Sequence, residues 1–173
     1  EVFREMTRRH GPKVEIILFG VEPQDAGWED LPRDFPFRLA GRLQPRQVAD
    51  LLNEVDVFCD FSTWQAMGMT AMEAMLCGCA VAVTRHGGPG VYARHEENCL
   101  MVDPQDKAGC IAAVDLLVRD AELRRRLAGA ALRDICLFYP ERAAWNMLNA
   151  LFGPEIDAAM MEAARAERAQ DEA

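Results

Sequence analysis

The sequence predicts an α/β fold, a Rossmann-like doubly wound parallel sheet with helices on both faces. Two observations carry this reading. Five short apolar runs, at 14–20, 36–43, 56–62, 79–85 and 99–103, have the length and composition of buried strands. Helix-like stretches of about ten residues separate or follow them, and that alternation means parallel pairing, because a parallel crossover needs a helix. Composition fits: 50% hydrophobic and 27% charged residues are enough to build a core, and 173 residues suit one such body.

In chain order, VEIILFG at 14–20 is the first strand and PFRLAGRL at 36–43 the second. The Pro-, Gly- and acid-rich VEPQDAGWEDLPRD between them reads as a loop. Val48, Leu51 and Leu52 fall at helical spacing behind Pro45, which suits a first helical turn. DVFCDFS at 56–62 is the third strand, and Met69 to Leu76 is a helix closed by Cys77-Gly78. CAVAVTR at 79–85, the turn HGGPG at 86–90 and CLMVD at 99–103 come next. Helices are expected over 105–119, with Ile111, Val114, Leu117 and Val118 on one face, over 120–137, and from Pro140 to Leu151. A main domain over 1–153 and an acidic helical or frayed tail over 154–173 complete the expected organisation.

Charge and motifs narrow the function. With 19 basic and 28 acidic residues the net charge is −9, which argues against a nucleic-acid partner but not against a small anionic ligand. No run approaches the roughly 18 apolar residues of a membrane span, and EVFREMTRRH has no secretory apolar core. A cytoplasmic protein is therefore expected, its six cysteines reduced and used as small hydrophobes. His10, His86 and His95 lack ligand spacing, so no metal site is expected. HGGPG is neither a dinucleotide fingerprint nor a P-loop. Met67, Met69, Met72 and Met75 read as core filling.

Ligands on such sheets bind at the carboxyl ends of the strands. After the third strand a loop carries Gln65 and Gly68, and a helix starts near Met69. The free amides of Gly68, Met69 and Thr70, aided by the helix dipole, suit a phosphate, and Gly68 has no side chain to obstruct it. Glu73, one turn on, offers two acceptors for the paired hydroxyls of a ribose, or simply favours the positive helix start. Gly87 and Gly88 either let backbone approach a donor sugar or form a tight turn.

The run Glu73-Ala74-Met75-Leu76-Cys77-Gly78, followed by a strand, Gly87-Gly88, Glu97-Asn98 and Leu100-Met101-Val102, resembles the signature of retaining glycosyltransferases of the family 4 type. The likeness is specific over 56–106. It implies the C-terminal, nucleotide-sugar-binding half of a GT-B fold, with Glu73 on the donor ribose and the amides of Gly68, Met69 and Thr70 on the diphosphate. Gly41-Arg42-Leu43 is similar to the loop that holds the base, with a surface ion pair as the alternative role for Arg42. The resemblance assigns no catalytic residue here. It implies no metal and no cofactor besides the nucleoside-diphosphate sugar.

The chain departs from the pattern twice. Gln65, eight residues before Glu73, stands where the family has a glutamate; its amide either touches the donor sugar, in part as a hydrogen donor, or is simply a polar group of the loop. Secondly, Glu1 falls in the helix after the family's first strand. A central strand bearing an arginine and a lysine, and an N-terminal acceptor domain, are thus expected to lie outside these residues. The isolated chain is expected to be inactive, and peripheral membrane association is an expectation for the full-length protein. The alternatives are a non-catalytic nucleotide-binding module and a scaffold domain.

Overall fold

The computed structural model describes residues 1–30, 32–138 and 140–153, together with 155, 158–160 and 162. The chain divides into two compact units, Glu1–Ile135 and Cys136–Ala173, so the last well-described helix belongs to the second unit and not to the first, as a break after residue 153 would have it. Most of the expected tail lies outside the described residues.

In the first unit, helix α1 (Val2–His10) leads into strand β1 (Ile17–Phe19), followed by β2 (Arg38–Gly41), α2 (Pro45–Glu54) and β3 (Val57–Asp60). Next come α3 (Met69–Leu76), β4 (Ala80–Thr84), β5 (Leu100–Val102), α4 (Lys107–Arg119) and α5 (Ala121–Ile135). All strand pairs are parallel, and the five strands fall inside the five apolar runs, shortened at their ends. In the second unit, α6 (Pro140–Phe152) has no buried residue among those described.

The period-2 alternation of a strand explains how both faces of the sheet are covered. In β4 all five residues are buried. Val81 and Val83 pack with Leu52, Met72, Met75 and Ile135 of α2, α3 and α5. Ala80 and Ala82 face the other way, toward Leu117 and Leu127. Cys79 and Cys99 complete the first cluster, with the Cys79 thiol 3.1 Å from the carbonyl of Leu52. Desolvation pushes both thiols up to about 12. Cys59, Cys77, Cys79, Cys99 and Cys110 are free thiols.

The sheet is discontinuous. One parallel pair, β1–β2, and one triplet, β3–β4–β5, are each hydrogen-bonded internally but not to one another. A cavity of about 460 Å³ lies between the edges of β1 and β3, lined by Ile17, Phe19, Val57 and Cys59. Leu51 of α2 and Val114 of α4 also line it. The only ring contact spanning these strands among the described residues joins Phe19 and Phe58, centroids 6.3 Å apart.

Helix α1 docks along α4 through charged groups. His10 Nε2 lies 2.8 Å from Asp115 Oδ1, Arg119 donates to Asp115 Oδ2 at 2.8 Å, and Arg9 stands 3.4 Å from the same oxygen. At the other end Lys107 pairs with Glu1 at 2.8 Å. Helix α1 therefore runs parallel to α4, away from the carboxyl edge of the strands.

Candidate donor-binding site

The eight residues expected to touch the donor gather at the carboxyl ends of strands: Gly41 ends β2, Arg42 and Leu43 follow it, Gln65 and Gly68 lie on the loop after β3, and Met69, Thr70 and Glu73 are in α3. The start of α3 is the chemically distinctive place. Helix α4 opens on Asp106, whose carboxylate accepts from the Gly109 amide at 3.0 Å. Helix α3 opens on Gly68, which has no side chain to cap with, at φ +78°. The amides of Gly68, Met69 and Thr70 consequently have no partner among the described residues. They form a concentration of positive dipole suited to an anion.

Gly68 is required twice over. Its positive φ disfavours a side chain, and a Cβ there would stand 2.8 Å from the Tyr92 hydroxyl. That hydroxyl, buried and held in its protonated form chiefly by desolvation, donates to the Gly68 carbonyl at 3.1 Å and fixes the helix start.

Glu73 lies one turn into α3. Ala71, Met72, Ala74 and Met75 are buried, which leaves Met69, Glu73 and Leu76, spaced by four and three residues, on the outer face. The Glu73 carboxylate is exposed and unpaired among the described residues. Met69 is 59% exposed, so it does not fill the core as expected, whereas Met72 and Met75 do and Met67 packs against them.

Gln65 is anchored at both backbone and side chain. Its amide donates to the His86 carbonyl at 3.2 Å, and its carbonyl accepts from Gly88 at 2.9 Å. The glycine pair turns the chain, Gly87 at φ +92°, and meets a further requirement: a Cβ on Gly87 would meet the Gln65 carbonyl oxygen at 1.9 Å, and one on Gly88 would meet that of Ala66 at 1.9 Å. The glycines permit the loops after β3 and β4 to touch backbone to backbone. The Gln65 side chain turns inward, donating through Nε2 to Asp60 Oδ2 at 2.5 Å and to Ser62 Oγ at 3.0 Å. Ser62 in turn donates to Asp60 Oδ1 through its amide at 2.9 Å and its hydroxyl at 2.6 Å. The amide hydrogens expected to reach a sugar are thus engaged within the protein.

Sequence reasoning missed Asp60 and Ser62. The signal was present, since an aspartate two residues before a serine at a strand end is the pattern of an Asx turn. On the second loop Arg42 makes the ion pair that was its alternative role, to Asp25 at 2.5 Å, and its amide donates to Glu22 at 2.9 Å. Gly41 takes φ +72° beside that glutamate, and Leu43 is half-buried. Asn98 is fully buried and structural, accepting from the Arg94 amide at 2.7 Å and donating to the Tyr92 carbonyl at 2.9 Å. Among the described residues no three metal-ligating side chains cluster, and no helix is long and apolar enough to cross a membrane.

Residues 1–134 match the family described as glycosyl transferases group 1. The chain belongs to that family. Among its glycosyltransferase relatives, the lipopolysaccharide core biosynthesis glycosyltransferase LpsE of Rhizobium meliloti is 36% identical over 103 residues, which are 60% of this chain and 26% of LpsE. The sulfoquinovosyl transferase SQD2 of Arabidopsis thaliana is 29% identical over 141 residues, 80% of this chain and 28% of SQD2. The chain therefore spans about a quarter of the length of these two relatives. In structure, Anabaena HepE in complex with UDP-glucose superposes with a TM-score of 0.67 at 20% identity, over 84% of this chain and 44% of HepE. The fold is that of one half of a GT-B glycosyltransferase.

Proposed function

We propose that this unit binds the donor of a family 4 type, retaining glycosyltransferase and serves the transfer of a glycosyl group from a nucleoside-diphosphate sugar. The observation that carries the proposal is the uncapped start of α3: three unpartnered amides beside an exposed, unpaired Glu73, at the carboxyl edge of a parallel sheet. The amides take the diphosphate, and Glu73 takes the two ribose hydroxyls, as only a carboxylate can without a competing donor. The diphosphate is the leaving group, so amides that stabilise its charge serve the reaction as well as binding. In this reading no metal and no further cofactor is needed. The UDP-glucose complex of HepE and the lipopolysaccharide core biosynthesis in the name of LpsE support a nucleotide-sugar donor and a setting in surface-polysaccharide assembly, with the full-length enzyme at the membrane face.

The acceptor site belongs, in this proposal, to a domain outside these residues. The gap between β1 and β3 is the seat of one more parallel strand. Two strand edges unpaired among the described residues bound it and helices cover it on both faces, surroundings that suit an extended backbone. The 173-residue chain alone is accordingly expected to show no transfer.

Calorimetric titration of the full-length protein with nucleoside diphosphates tests the site. Glu73→Ala should weaken binding by about 1.5–3 kcal/mol, the worth of a charge-assisted hydrogen bond. The melting temperature should hold, because an exposed alanine is a good helix former. Unchanged binding with a collapsed melting temperature would assign Glu73 to the fold alone.

A further inference from the structure

We infer that Asp60 is a positioning residue that turns Gln65 into a pure hydrogen-bond acceptor, and that this selects neutral donor sugars, with hydroxyls to donate, over sugars carrying a carboxylate at that point. The inference rests on the donor-site reading above and goes beyond it to the class of sugar.

Three observations fix the polarity of the cluster. A carboxylate accepts and cannot donate, so the atom of Gln65 that faces Asp60 Oδ2 at 2.5 Å is the amide nitrogen. The hydroxyl hydrogen of Ser62 goes to Asp60 Oδ1, so Ser62 Oγ receives the second hydrogen of the same nitrogen. Both hydrogens are then committed. What remains is Oε1, which has no partner among the described residues. No buried side-chain oxygen or nitrogen among them lacks a hydrogen bond, so Oε1 is open to solvent.

The assembly is rigid before any ligand arrives. The backbone of Gln65 bonds on both sides to the 86–88 segment, whose glycines leave no room to slide. The Asp60 carboxylate lies at the end of β3, held by the Ser62 amide. A carboxylate behind an amide polarises it, strengthening the carbonyl end as an acceptor. The formal negative charge that the sequence pattern would put at position 65 is thus present five residues earlier, and the amide relays it. A hydroxyl meets this surface with a hydrogen bond, whereas a carboxylate meets a lone pair backed by a charge.

The experiment uses the full-length protein and two matched donor pairs, UDP-glucose with UDP-glucuronic acid and GDP-mannose with GDP-mannuronic acid, measuring kcat and donor KM. Wild type should prefer the neutral member of whichever pair it uses by tenfold or more. Gln65→Glu puts a carboxylate against Asp60 and should lower kcat/KM by about tenfold or more, the worth of a charge-assisted hydrogen bond. Asp60→Asn combined with Gln65→Glu reverses the bond between the two side chains while keeping an acceptor outward. This double variant should recover most of the loss, a rescue that a merely structural role does not give. Gln65→Met, which keeps the bulk without the acceptor, should erase the preference for neutral donors and answers the question even if a charged variant fails to fold. Preference for the acidic donors, an unaffected Gln65→Glu enzyme, or a folded double variant no better than Gln65→Glu would each overturn the inference while leaving the donor-site reading intact. A wild type that binds none of the four donors and no free UDP or GDP would overturn both.

Discussion

The two parallel sheets of the first unit share a pairing mode but not a degree of commitment. In the triplet β3–β4–β5, the middle strand is fully buried, with valines on one face and alanines on the other, each face closed by helices. In the pair β1–β2, no β1 residue is fully buried, and the register slips between Leu18 and Phe19. The uncapped start of α3 and the Gln65 cluster belong to the triplet. The loop carrying Arg42 belongs to the pair. The proposed diphosphate site, which needs fixed dipoles, thus lies on the more deeply buried element, while the less buried pair carries a loop held by surface charges.

The largest expected effect breaks the rigid side. Gly87→Ala drives a Cβ into the Gln65 carbonyl and forces a positive φ on a residue that resists it, so unfolding stability should fall by about 3–4 kcal/mol. Urea titration measures this, and a loss below about 1 kcal/mol would mean that the two loops part easily. Next in size is the contrast between the sheets themselves. Val83→Ala should cost about 2–3 kcal/mol, and Leu18→Ala, although it removes more atoms, about 1 kcal/mol or less, because Leu18 is only half-buried. Equal losses would erase the distinction.

A smaller effect is set by pH. Glu5, bonded by Arg8 and Arg9, is held down to about 2 from an ordinary 4.5. Burial of Asp115 works to raise its pKa, but His10, Arg119 and Arg9 outweigh it and the value is lowered from 3.8. Both carboxyls have depressed folded-state values, so their contribution is complete above the ordinary carboxylate range and is lost as pH falls from 4.5 toward about 2. In an acid titration followed by NMR, the α1 resonances should move in that window before those of β4 do. Simultaneous change in both would show α1 to be no weaker than the triplet. Smallest of all, Arg42→Ala removes an ion pair whose guanidinium side is 67% exposed, and the urea midpoint should not move measurably.

How legible this was in the sequence varies with how local the cause is. The strand AVAVT and the helix carrying Glu73 were readable, because an apolar run and a glycine stop are local signals. The face of α3 that looks outward was not, since seven of its eight positions are uncharged and periodicity gives no direction, and Met69 was misplaced for that reason. The Asx turn of Asp60 and Ser62 was readable and overlooked. The third leg, from Gln65, was not, because the inward turn of that side chain depends on the 86–88 segment holding its backbone. The need for Gly87 and Gly88 likewise lies in a contact with residues some twenty positions away, which no turn rule contains. The gap beside β1 could be anticipated only through the family resemblance.

The two core thiols have a chemical consequence. Cys79 and Cys99 are fully buried in the triplet's main cluster, and burial, which pushes them up to about 12, keeps them protonated at neutral pH. The thiolate is the reactive form, and a probe cannot reach a buried sulfur. In the intact unit these atoms are therefore silent toward alkylating reagents, and each modification records an opening of the sheet. The protein carries its own clock for rupture of its core, read by mass spectrometry of the alkylated Cys79 and Cys99 peptides.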